Sequence, residues 1–96
     1  MRLQASETST IRTVVQHIAG QQAKAWLYGS RLDDTRRGGD VDLLVQSSPT
    51  ISLMQRARIK ILLEEQLGLP VDVIACEDGE PASAFARIAL LQGVQL

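Results

Sequence analysis

Ninety-six residues, 45% of them apolar and 22% charged, have the balance of an ordinary globular chain but cannot fill two hydrophobic cores, so one domain over residues 1–96 is expected. A formal charge of −1, from ten basic and eleven acidic side chains, gives no broad positive field for gripping nucleic acid, and the scarcity of aromatic residues argues against stacking along a nucleic-acid strand. A single cysteine, Cys76, excludes an internal disulfide framework and a cysteine-rich zinc site. With no basic start leading into an apolar segment and no apolar run of bilayer length, the expected setting is cytoplasmic, away from membranes.

The first nine residues are polar, and Ser6, Glu7, Thr8 and Ser9 suit a frayed start or a helix cap. Ile11, Val14, Val15 and Ile18 then recur at helical spacing as a core-facing stripe, and Gly20 supplies a stop. His17 falls on the polar side, where a solvated role is expected because no second histidine shares the chain. Ala23 to Tyr28 predicts a strand with Trp26 and Tyr28 on one face, Trp26 in the core, and Ala25 and Leu27 on the other. Gly29 to Gly39 lacks an apolar period and is dense in charge, which reads as a loop.

Asp40 to Val45 predicts a second strand. Ser47, Ser48 and Pro49 then offer a cap and a first-turn proline for a helix whose apolar side includes Ile51, Met54, Ala57, Ile61 and Leu62. Arg56, Arg58 and Lys60 make its wet face, and Gly68 ends it with Pro70 beyond. Val71 to Ala75 is a third strand, Cys76 a small buried residue just past it, and Pro81 opens a last helix containing Phe85, Ile88 and Ala89. This order favours an α/β fold, a small mixed sheet of three strands, or four, flanked by helices. A domain so small also leaves apolar surface to be covered by a further chain, in a homo- or hetero-oligomer.

The chemistry concentrates on carboxylates. Side chains alternate along a strand, so Asp40 and Asp42 project to one side about 6.5–7 Å apart while Val41 points inward. Two like charges that close repel unless a cation lies between them, and hard oxygen donors select Mg²⁺ or Mn²⁺. A D-x-D pattern alone is common on solvated strands. Asp72 adds weight because it interrupts a buried-looking strand, where an unpaired carboxylate is expensive. If the second and third strands are neighbours, three carboxylates converge, an arrangement suited to two metal ions roughly 3.5–4 Å apart. Capping a loop or pairing with an arginine are other uses for Asp72. Gly29 and Ser30, at the end of the first strand, have the makings of an anion cradle, a glycine for close backbone approach and a hydroxyl with amides to donate.

Gly29-Ser30, nine intervening residues and Asp40-Val41-Asp42-Leu43-Leu44 resemble the signature of the polymerase-beta-type nucleotidyltransferase superfamily in its minimal (MNT) branch. Asp72 in a Pro-Val-Asp-Val strand, with Ile88, Gly93 and Leu96 near the end, extends the resemblance. It implies triphosphate binding by Gly29 and Ser30, metal coordination and catalysis by Asp40, Asp42 and Asp72, two Mg²⁺ ions, and ATP as substrate. Many relatives follow Gly-Ser with a small and then a basic residue, whereas here Arg31 precedes Leu32, Asp33 and Asp34. Arg31 is the first candidate for a phosphate contact, Arg36 and Arg37 could equally provide it, and salt bridges to Asp33 and Asp34 are the competing use.

Minimal members of this type stand beside a helical HEPN-type protein as antitoxin and toxin. The resemblance therefore implies transfer of AMP to a hydroxyl of that partner. The competing expectation is a catalytically idle antitoxin that neutralises its helical partner by contact alone. A nucleic-acid-binding module is the least supported reading.

Overall fold

A computed structural model describes residues 3–29, 40–79 and 83–96. The elements are α1 (Ala5–Ala19), β1 (Lys24–Tyr28), β2 (Val41–Ser47), α2 (Leu53–Leu67), β3 (Val71–Glu77), α3 (Ala84–Gln92) and β4 (Val94–Gln95). The four strands form one mixed sheet in the order β3-β2-β1-β4. β1 runs antiparallel to both β2 and β4, while β2 and β3 are parallel. The expected α/β architecture is present, with the fourth strand added by the residues after Gly93. Ser30 to Gly39, which hold Arg31, Arg36 and Arg37, lie outside the described residues, as does Pro81.

Strand alternation sorts the sheet into two unlike faces. Ala25 and Leu27 of β1, Val41, Leu43 and Val45 of β2 and Val71 of β3 point to one face. There they join Ile11, Val14 and Val15 of α1 and Ile59 and Leu63 of α2 in the main core. The opposite face holds a smaller cluster in which Leu44 and Cys76 pack under Ala86 and Ala89 of α3, with Trp26, Tyr28, Ile74 and Leu90 around them. Trp26 is thus half-buried rather than central, and its indole Nε1 donates to Gln46 Oε1 at 3.1 Å. The large indole carries a polar atom that needs a partner, and Gln46, on the same face of the neighbouring strand, supplies it.

Gly20 and Gly68 cap α1 and α2 as expected, whereas the helix starts depart from the sequence reading. α1 begins at Ala5, where Gln4 and Glu7 form a reciprocal capping pair, so Ser6 to Ser9 lie inside the helix. The cap of α2 is Ser52, which accepts from Gln55 N at 3.1 Å while Gln55 Oε1 accepts from Ser52 N at 2.8 Å. Ser47 instead ends β2 opposite Glu77, and Ser48 and Pro49 belong to the strand exit. The buried side of α2 is Ile59 and Leu63, whereas Met54 and Ile61 are 73% and 55% exposed and Ala57 faces outward. Apolar residues occur all round this helix, so its own periodicity does not choose a face; docking against α1 and β3 does.

A polar clasp ties the end of α2 to the start of β3. Glu64 Oε2 accepts from Val71 N at 2.9 Å and from Lys60 Nζ at 3.1 Å, and Lys60 Nζ donates to the Val71 carbonyl at 2.6 Å. These bonds, the Val71 amide first, hold the Glu64 carboxyl below its ordinary range. Its folded pKa being lower than its unfolded one, the clasp stabilises the chain above the ordinary carboxyl range and is lost as pH falls through the folded pKa. Glu64→Gln is expected to lower the Tm at neutral pH, with the difference from wild type fading in acid. Thermal unfolding across pH checks this, and a penalty undiminished at low pH contradicts it.

Candidate functional site

Register assembles the site. Tyr28 pairs with Asp42 across the antiparallel β1–β2 ladder, and Asp42 pairs with Asp72 across the parallel β2–β3 ladder. The three side chains form one row on the α3 face, directly beside the row of Trp26, Leu44 and Ile74. Adjacent strands lie about 4.8 Å apart, so neighbouring carboxylates in one row are within reach of a single cation.

Val41, which begins β2, is fully buried; the local sequence Asp-Val-Asp works because the valine anchors the strand while Asp42 turns to the opposite face. The same logic places Asp72 after the buried Val71. Asp72 is solvent-exposed on the edge strand, so the expected burial penalty is not what accounts for it; an edge strand leaves its polar face open to water. Asp40 precedes β2 and is exposed.

The electrostatics favour a cation. Burial first, and then the charges of Asp72 and Asp40, push the Asp42 carboxyl above its ordinary range. Burial, Asp42 and Asp72 likewise raise the Tyr28 phenol, which keeps that hydroxyl protonated. Hard oxygen donors in electrostatic conflict match the donor set for Mg²⁺ or Mn²⁺. Among the described residues no group of three or more carboxylate, histidine or cysteine ligands comes together. The donor set drawn from β2 and β3 is therefore the pair Asp42 and Asp72, with Asp40 near enough to act on Asp42 by charge.

Gly29 stands at this row with φ +79, and a Cβ on it would run into the Asp42 carboxylate. Its left-handed backbone conformation favours glycine, and any Cβ there would also require the Asp42 carboxylate to move. Ser30 and Arg31 lie outside the described residues.

Tyr28, Asp42 and Asp72 line an open cleft of about 580 Å³, together with Val73, Ile74 and Phe85 and with Leu53, Arg56, Ala57 and Lys60 of α2. Of these, sequence reasoning singled out only Asp42 and Asp72 as site residues. Arg56 and Lys60 were expected on a merely solvated face, and Phe85 and Tyr28 only as members of a helix and a strand. The Leu53, Arg56, Ala57, Lys60 spacing is a helical stripe and carried a signal; Tyr28 needed the β1–β2 register. Lys60 is held by its clasp to Glu64 and Val71, whereas Arg56 lines the cleft beside it.

A sequence model of the nucleotidyltransferase domain matches residues 8–94. The chain belongs to the nucleotidyltransferase domain family. Among solved structures, this nucleotidyltransferase domain is similar to a chain from the crystal structure of a mutant toxin-antitoxin MntA-HpeT. The TM-score is 0.68 at 20% identity, over 93% of this chain and 70% of that one. That likeness is one of fold. No curated protein matches the chain.

Two outcomes follow. The folded pKa of Asp42 lies above its unfolded one, so its charged form costs stability at neutral pH, and the cost vanishes in acid once the carboxyl is protonated in both states. In metal-free protein Asp42→Asn is expected to raise the Tm at neutral pH and to lose that advantage on acidification; calorimetry at the two conditions decides, and a lower Tm at neutral pH refutes it. Gly29→Ala, forced into a left-handed conformation against a carboxylate, is expected to cost at least about 1–2 kcal/mol in a denaturant melt; an unchanged midpoint contradicts the geometry.

Proposed function

We propose that this nucleotidyltransferase domain is a Mg²⁺-dependent enzyme that transfers AMP from ATP to a hydroxyl of a helical HEPN-type partner protein, acting as its antitoxin. The observation that carries the reading is the Asp42–Asp72 pair in one row beside Gly29, in a chain of this family. The structural likeness to a toxin-antitoxin chain supports the partner.

In this reading Asp42 and Asp72, with Asp40 at the start of the strand, hold the divalent ions, while Gly29, Ser30 and Arg31 receive the triphosphate. Mg²⁺ held by these carboxylates would neutralise phosphate charge and ease deprotonation of the attacking hydroxyl. The acceptor oxygen bonds to the α-phosphorus, the bond from that phosphorus to the β-phosphate bridging oxygen breaks, and pyrophosphate departs. The acceptor proton passes to a carboxylate of the row. Asp72, exposed at the sheet edge, is the member an incoming hydroxyl reaches first. The chain's own work is positioning: two rigid strands set the carboxylates, and Gly29 allows the phosphates close approach.

A second reading, an idle antitoxin that works by contact, is favoured by one observation. Large apolar side chains such as Ile88, Leu91 and Val94 stand exposed outside the cleft.

Co-expression with the helical partner followed by intact-mass spectrometry separates the two. Enzyme action predicts the mass of AMP on a partner Tyr, Ser or Thr, absent with Asp42→Asn. An unmodified partner that is still neutralised by the triple Asn variant at Asp40, Asp42 and Asp72 overturns it in favour of contact.

A further inference from the structure

Phe85 is 70% exposed and lines the open cleft that holds Asp42 and Asp72. Two of the three aromatic side chains in the chain, Tyr28 and Phe85, are walls of this one cleft. Along β3 the cleft changes character. Asp72 marks its charged end on the α3 side, and Ile74, two residues on and on the same face, begins an apolar end beside Phe85, while Val73 and the α2 residues Leu53 and Ala57 line the cleft from the opposite face of this edge strand.

Two residues of strand span about 6.6 Å, a separation on the scale of the sugar that joins the phosphate and base of a nucleotide. A cleft of about 580 Å³ is also the size of a small-molecule site, and such sites pair apolar walls with a few polar anchors. Phe85 is set by its place in the first turn of α3, where Ser83 Oγ accepts from Ala86 N at 3.0 Å and fixes the helix start. An exposed phenylalanine at the apolar end of a cleft whose other end bears carboxylates is a platform lacking its planar partner.

We propose that Phe85 is the stacking partner for the nucleotide base, the apolar end of the cleft over Ile74 taking a purine while the carboxylate end takes the triphosphate. This rests on the nucleotidyltransferase reading above and adds the base subsite to it. A π-face is common to every base, so stacking selects by area rather than by hydrogen-bond pattern. Adenine and guanine nucleotides therefore bind alike and ahead of cytosine and uracil nucleotides.

The test is calorimetric titration of the full chain in Mg²⁺ with ATP, GTP, CTP, UTP and inorganic tripolyphosphate. Phe85→Ala is expected to weaken ATP binding about ten-fold, leave tripolyphosphate binding unchanged and erase the purine preference, while Phe85→Trp retains ATP. ATP bound by Phe85→Ala as tightly as by wild type overturns the base subsite while leaving the enzyme reading standing. So does parallel loss of tripolyphosphate binding. Wild-type protein that binds neither ATP nor tripolyphosphate overturns both proposals together.

Discussion

The parallel pairing of β2 with β3 places Asp42 opposite Asp72, and every chemical property of the cleft depends on that alignment. A shift of one residue along either strand would turn a carboxylate into the main core and a valine out to water. The alignment is held at its start by two kinds of bond. Val41 N donates to the Pro70 carbonyl at 2.9 Å, and the Glu64–Lys60 clasp takes up the amide and carbonyl of Val71 that face away from β2. The clasp therefore does two things, satisfying backbone groups at an exposed edge and setting where β3 begins.

The two faces of the sheet divide the tasks of folding and chemistry. One face carries aliphatic residues from all three long strands against α1 and α2, and supplies most of the buried surface. The other is covered by α3 only in part, through the small residues Ala86 and Ala89. Small residues let α3 lie close over Leu44 and Cys76, and Gly93 at its end approaches the Leu27 carbonyl so tightly that a Cβ there would sit 2.8 Å from it. The row beyond the shelter of α3 is the acidic one, open to solvent and to a ligand.

Opposing charge requirements meet at that row. Asp42 is disfavoured in its ionised form by burial and by its acidic neighbours, and the Tyr28 phenol is pushed up by burial and then by Asp42 and Asp72. Clustered like charge of this kind costs local stability, a pattern common where function demands it. The main core offsets that local cost.

Much of this was legible in the residues themselves. Local spacing identified three helices and three strands, because alternation and helical periodicity are properties of neighbouring residues. The Gly-Ser and D-x-D motifs pointed to the family, and strand alternation put Asp42 opposite in sense to Val41. What the chain alone could not decide was everything set by contacts between distant segments. The buried face of α2 was undetermined because apolar residues surround that helix, and only docking on α1 selected Ile59 and Leu63 over Met54 and Ile61. The exposure of Asp72 followed from β3 being an edge strand, the presence of Tyr28 in the acidic row from the β1–β2 register, and the place of Phe85 in the cleft from the path of α3 across the sheet. Sequence determined which side chains share a face of each element; tertiary structure decided which faces meet, since packing free energy depends on partners that no local pattern contains.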